Sequence, residues 1–202
     1  MDIQQVAVIS KIFLDAGVKI SDKMKSYVKK IGENFEFHRD NFNPDSLECT
    51  ENGLKQLYEL FSVSPVPPLN RHDGSSQITV IEGPWYKQHD ALWKLLVPSS
   101  GHAKTIQGEV IRISGKVAYE VMDNGGMNWD SDYRKMVKFL VECFASANPL
   151  VEEEQNEAKK IEQLISRFGK ADNEPERPME MAVKWVAQNP EPMEIGTLQY
   201  RR

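Results

Sequence analysis

The 202-residue sequence predicts a mainly α fold: a multi-helix bundle around one long central helix at about 102–122, with at most a small β element near 77–82. Three observations predict it. Apolar residues recur three and four apart through most of the chain, the spacing of a helix with one buried face. Capping residues stand at the starts of these stretches, and Gly or Pro at their ends. Within 64–84 only residues 77–81 resemble a strand, a strand over Ala91 to Val97 is the lesser alternative to a helix there, and no long internal period marks a solenoid.

The elements follow in order. Ile3, Val6, Ile9 and Phe13 define a first helix, stopped at Gly17. Ser21 or Asp22 caps a second, with Met24, Tyr27, Val28 and Ile31 on one face and Gly32 as its end. Residues 33–49 have no clean period and read as irregular. Thr50 is expected to cap a third helix with Leu54, Leu57, Tyr58 and Phe61 inward, ended before Pro65. Residues 64–84 are rich in Pro, Gly and Ser, the composition of a covering loop or a domain joint. Trp85 to Val97 can form a helix with Trp85, His89, Leu92, Trp93 and Leu96 close together.

In the central helix Ala103, Ile106, Val110, Ile113, Val117 and Val121 form the apolar stripe, and Glu109, Arg112, Lys116 and Glu120 fall opposite it. Gly108 and Gly115 lie seven apart beside that stripe. Each costs a helix about 1 kcal/mol relative to Ala, so a close neighbour is expected there. Asp123-Asn124-Gly125-Gly126 breaks the helix, and another runs from about Asp130 with Tyr133, Met136, Val137, Leu140 and Phe144 inward. Asn148 and Pro149 open a seventh, with Glu152, Glu153 and Glu154 at its positive end and Ile161, Ile165 and Phe168 on its face, stopped at Gly169. Residues 170–177 read as a charged linker, Pro178 to Asn189 as a last helix, and the rest as extended tail. The expected domains are thus a helical core at 1–169 and, at 170–202, a linker, short helix and tail packed on or loosely attached to it.

Composition narrows the function classes. Twenty-five Lys and Arg against 30 Asp and Glu give a formal charge of −5, which argues against coating nucleic acid by net attraction. The charge is uneven: residues 1–31 hold six Lys and three acids, so the basic N-terminal helices remain a third reading, as a nucleic-acid binder. Cys49 and Cys143 are far apart, which excludes a thiolate zinc cage and a disulfide scaffold and suits a reduced, cytoplasmic setting. His38, His72 and His89 form no metal-ligand pair. No apolar run is long enough to cross a bilayer, so no membrane partner is expected.

Two segments could carry chemistry. Ser99, Ser100, Gly101, Lys104 and Thr105, at the expected start of the central helix, offer hydroxyls, free backbone N–H groups and an ammonium to an anion. Their Ala-Lys-Thr ending is close to the Gly-Lys-Thr of a P-loop, but Pro98 and Ala103 stand where glycines are required. The simpler reading makes Ser99 or Ser100 an N-cap. The second segment is the 123–133 loop. Asn128, Trp129 and Tyr133 are candidate ligand contacts, and Asp123, Asp130 and Asp132 could give oxygen ligands to Mg²⁺ or Ca²⁺, although the spacing does not fit an EF-hand. No cofactor is otherwise predicted. The simpler reading is a helix joint in which Asn128 or Asp130 caps and Trp129 wedges.

Glu109 with Arg112 and Lys116 with Glu120 have the spacing of surface ion pairs, and a solvated face is the expectation; burial would turn them into a network requiring explanation. With no complete catalytic motif, the sequence leans away from an enzyme. It favours a helical protein that acts by binding a protein partner or its own copy. The alternative is a small-ligand protein or enzyme, binding phosphate, another anion or a divalent metal at 99–105 and 123–133, which requires both segments to line one cavity.

Overall fold

The computed structural model describes residues 2–168 and 176–202. Among them are eight α-helices and no strand, a mainly α architecture as the periodicity predicts. No helix among the described residues is long and apolar enough to cross a membrane. The expected stop at Gly169, the outward or inward facing of Phe168 and most of the 170–177 linker lie outside the described residues and side chains.

The chain divides into two compact units, Met1–Leu69 and Asn70–Arg202. The boundary falls within the 64–84 stretch and differs from the division at residue 170 expected from the linker-like composition there.

The first unit holds α1 (Ile3–Asp15), α2 (Asp22–His38) and α3 (Pro44–Phe61). The Asp2 carboxylate caps α1 by accepting from the N–H groups of Gln4 and Gln5, and the Ser21 hydroxyl accepts from Met24 N–H to start α2. Two boundaries differ from expectation. Gly32 lies inside α2 instead of ending it, because a Cβ there would fall 1.9 Å from the Tyr58 hydroxyl: the glycine lets α3 approach. And α3 starts at Pro44, with Asn43 as its cap, well before Thr50. Gly53 of α3 backs onto the main chain of Gln4, so α1 and α3 cross closely over a core of Ile3, Ala7, Leu54, Leu57 and Phe61.

The second unit holds α4 (Trp85–Leu96), α5 (Ile106–Met122), α6 (Ser131–Phe144), α7 (Glu152–Phe168) and α8 (Arg177–Gln188). Helix α5 is central, packed against α4, α6 and α8. Its apolar side joins Leu92, Leu96, Val137, Leu140, Phe144 and Val186 in one core. Trp185 and Met181 of α8 and Tyr200 of the tail are buried in that core, so the segment after 176 completes the unit. Asn148 does not cap α7, which begins at Glu152. Its N–H and carbonyl instead pair with the Asn189 side chain, tying the 146–149 turn to the end of α8.

The β element near 77–82 does not form. Ile78 is buried and its N–H donates to Pro190 O at 2.8 Å, but Pro190 and Pro192 have no N–H to return a ladder. A single antiparallel bridge, Thr105 with Glu194, is the β pairing seen among the described residues.

A buried charged stripe and an aromatic cleft

Helix α5 starts three to four residues later than the apolar pattern suggests. Thr105 is extended and is the cap, its hydroxyl accepting from Gly108 N–H at 3.1 Å. The Ala103 N–H, which a longer helix would leave free, is taken by the Glu109 carboxylate reaching back at 3.0 Å. Ser99, Ser100 and Gly101 therefore precede the helix, in a bend where Gly101 adopts a φ of +74°. They do not form the expected anion cradle, and Lys104 projects to solvent. Thr105 keeps its place at the helix start as the capping residue.

The four charged residues opposite the apolar stripe correct a second expectation. Glu109 and Arg112 are 0% and 1% exposed, Glu120 is buried and Lys116 is half-buried. Burial pushes the Glu109 carboxyl up. Hydrogen bonds from Arg112, its charge, and donors from Ala103 and Tyr200 outweigh that and hold the group below the usual carboxylate range. The Arg112 Nε donates at 2.8 Å and the Tyr200 hydroxyl at 2.8 Å, while Arg112 Nη2 also donates to the Arg202 carbonyl at 2.7 Å. His102 Nδ1 lies 3.1 Å from Glu109 Oε1. The Arg112 Nη1 has no hydrogen-bond partner among the described residues.

One helical turn beyond Lys116, Glu120 is the hub of the 123–128 loop. It accepts from both Nδ2 and N–H of Asn128, at 3.2 and 2.6 Å, and from Asn124 Nδ2 at 3.0 and 2.9 Å. The positive φ of Gly125 and Gly126 turns the chain back so that Asn128 reaches it. Those donors, against the upward push of burial, set the Glu120 carboxyl below its ordinary value.

Asn128 thus serves the loop, and Asp130 caps α6 by accepting from Asp132 and Tyr133 N–H groups. The other Asp130 oxygen holds Arg202 Nε at 2.9 Å, and Asp132 accepts from Arg201 N–H. Asp123 lies at the C-terminal end of α5, exposed. The three aspartates expected as an oxygen-ligand set do not converge: among the described residues no group of three His, Cys, Asp or Glu is placed to hold a metal ion. Trp129 stacks on Tyr133 at 5.1 Å between ring centres, and the Arg202 guanidinium covers the Tyr133 ring.

The 99–105 and 123–133 segments are therefore linked through the α5 stripe, by Glu109 at one end and Glu120 at the other. Between them, at Lys116, the stripe opens into a cleft of 640 Å³. Tyr133 is the residue of the predicted set that lines it. Its aromatic walls are Tyr86 and Trp93 of α4, Tyr119 of α5 and Tyr133 of α6. Gly115 forms part of the floor: a Cβ there would lie 2.5 Å from the Trp93 ring, so the glycine admits the indole. Gly108 plays the same part against the Leu96 carbonyl and Ala103. The spacing of these two glycines and the aromatic residues of α4 were the visible signals; the tail contacts had none.

Two titratable groups face the cleft differently. His89 is 3% exposed, stacks on Trp93 and lies with Nε2 3.0 Å from the Ser114 hydroxyl, which itself donates to Ile111 O. The ring nitrogen is thus the donor, and burial lowers the imidazole pKa to about 4, leaving it neutral at pH 7. Lys116 makes no hydrogen bond or ion pair among the described residues; the nearby Asp90 carboxylate is engaged by Lys94 at 2.8 Å. Desolvation, with the Arg112 charge, lowers the Lys116 pKa. Cys143 is buried, and burial pushes its thiol up to about 12, the state of an inert core cysteine.

No protein-family model, curated protein or solved structure matches this chain.

Proposed function

We propose that residues 70–202 form a ligand-binding unit whose cleft takes a small organic anion with a flat apolar body. The observation that carries this reading is Lys116: an ammonium that has lost part of its hydration, stands among aromatic rings and makes no hydrogen bond or ion pair among the described residues, Glu109 acting on it only through space. An isolated half-buried cation is costly, and a bound carboxylate or phosphate would supply the missing partner as a charge-assisted hydrogen bond.

The walls select the rest of the ligand. Tyr86 and Tyr119 are more than half exposed on the cleft rim, and Trp93 and Tyr133 lie deeper, so a planar group can enter between rings. The volume is in the range of small-molecule sites, roughly 300–1,000 Å³. Neutral His89 adds no second positive charge, which suits a monoanion better than a polyphosphate.

Titration with 2-naphthoate, followed by tryptophan fluorescence and calorimetry, tests the proposal. One saturable site is expected, weakened at least about tenfold by Lys116→Met and by replacing the probe with neutral 2-naphthylmethanol. Adenosine monophosphate in parallel shows whether carboxylate or phosphate is preferred. Absence of saturation at millimolar concentrations of all three, or naphthoate binding indifferent to Lys116→Met, would overturn it.

A further inference from the structure

Helix α1 is apolar on two sides. Eight of its 13 residues are apolar, yet only one side is used within the first unit: Ile3 and Ala7 are buried, with Val6 and Leu14 partly buried, against α3. Val8, Ile9, Ile12 and Phe13 occupy the other side and are each more than half exposed, Ile12 at 62% and Phe13 at 58%. A helix that is apolar all round is ordinarily covered all round. Val18 and Ile20, exposed just beyond the helix, extend the patch to on the order of 500 Å².

The arrangement of the patch identifies what covers it. Read from residue 8 to residue 13, the order is apolar, apolar, polar, polar, apolar, apolar: Val8-Ile9-Ser10-Lys11-Ile12-Phe13, a palindrome centred between Ser10 and Lys11. At 100° per residue, Gln5, Ile9, Ile12 and Ala16 form one seam with the four-three-four spacing of a coiled coil, and Val8 and Phe13 flank it on opposite sides. That seam is symmetric about the same centre. Two copies related by a two-fold axis there, with their α1 helices antiparallel, set Ile9 of one against Ile12 of the other and Gln5 against Ala16, at both ends alike. This is the self-complementarity an isologous contact requires, in which residue i meets residue j and j meets i.

Charge agrees with that register. The same axis places Asp2, at the positive end of one helix, opposite Lys19 just beyond the negative end of the other; both are exposed, and Lys19 has no ion pair among the described residues. The Lys11–Asp15 pair, 2.8 Å apart within one helix, lies at the border of the patch and leaves the seam free of charge. A patch of about this size is smaller than the roughly 800 Å² per partner of a standard stable interface, so the dimer is a reversible one, of micromolar rather than nanomolar affinity.

We infer that the exposed face of α1 is a homodimerisation surface, two copies of the chain pairing antiparallel about the Ser10–Lys11 midpoint. The inference does not depend on the ligand cleft. Sedimentation of the full chain over a concentration series is expected to show a monomer–dimer equilibrium that Ile12→Asp abolishes without altering the circular dichroism spectrum, since Ile12 supports no core contact. Register is read by disulfide trapping in a Cys49→Ser background, needed because Cys49 is exposed. Chains carrying Gln5→Cys and chains carrying Ala16→Cys, mixed, are expected to cross-link with each other and neither with itself. A chain that is monomeric up to millimolar concentration overturns the inference, whether a different protein or the second unit of the same chain covers the face. A dimer untouched by Ile12→Asp, or cross-linking of Gln5→Cys chains with themselves, does so equally.

Discussion

Replacing Arg112 by Met tests whether the charged stripe of α5 supports the second unit. The change keeps an unbranched side chain of similar reach and removes the donors to Glu109 and to the Arg202 carbonyl. Glu109 would keep Ala103 N–H and the Tyr200 hydroxyl but lose Arg112, its fully buried counter-charge. Breaking a buried ion pair from one side costs about 3–5 kcal/mol. The Ala103 N–H and the Tyr200 hydroxyl still donate to Glu109, which sets the expectation near the lower end, about 3 kcal/mol. For a unit of roughly 130 residues this corresponds to a fall in Tm of about 10 °C.

Urea or thermal unfolding followed by tryptophan fluorescence is the assay, because all four tryptophans, at 85, 93, 129 and 185, lie in the second unit. A double-mutant cycle with Glu109→Gln isolates the pair: the double variant is expected to lose less than the two single variants together, by about 2 kcal/mol. The acid limb reports the same coupling with opposite signs. In the native protein the Glu109 pKa is depressed by folding, so its contribution is present above the unfolded carboxylate pKa and lost as pH falls through the folded value. In Arg112→Met burial, the largest influence, is opposed only by the Ala103 N–H and the Tyr200 hydroxyl, so the folded pKa rises; once it passes the unfolded value, stability falls as pH rises from the unfolded pKa toward the folded one. A loss below about 1 kcal/mol, or simple additivity in the cycle, would refute the reading that these charges are desolvated partners.

Two further outcomes follow from the cleft. His89, with its pKa lowered to about 4, binds a proton in the unfolded chain before it does so in the folded one; stability should therefore fall as pH drops from about 6.5 to about 4, by about 3 kcal/mol, and His89→Gln should flatten that interval in pH-dependent urea unfolding. Gly115→Ala places a methyl group against the Trp93 ring, so a loss of about 1–3 kcal/mol is expected together with a shifted tryptophan emission maximum, and an unchanged spectrum and stability would show that the ring does not sit where the helix crossing puts it.

Much of the helical order was legible. All eight helices follow from periodicity, four of them (α1, α4, α6 and α8) with both boundaries near those observed, because their stripes, caps and breakers are local: Gly17 after α1, Ser21 before α2, Asp130 before α6, and the prolines after α3 and α4. The misplaced boundaries have tertiary causes. Gly32 reads as a stop until the Tyr58 hydroxyl is seen against it, and the start of α5 moves to Thr105 because Glu109 reaches back to Ala103. Of the two predicted site segments, Tyr133 lines the cleft and the remaining residues cap, turn or project to solvent.

By itself the sequence determined a helical chain, its caps, the two glycines that admit close neighbours along α5, and the two-sided apolar pattern of α1, all properties set by residues a few positions apart. Only the tertiary structure decided which polar faces meet water. Glu109, Arg112 and Glu120 have the spacing of solvated surface pairs, and nothing within one turn of them says otherwise. They are buried because Tyr200 and Arg202 return from some ninety residues away and the glycine turn brings Asn124 and Asn128 back onto the helix. A charge is desolvated by whatever packs over it, and that cover is non-local; the same arrangement leaves Lys116 in the cleft without a hydrogen bond or ion pair among the described residues.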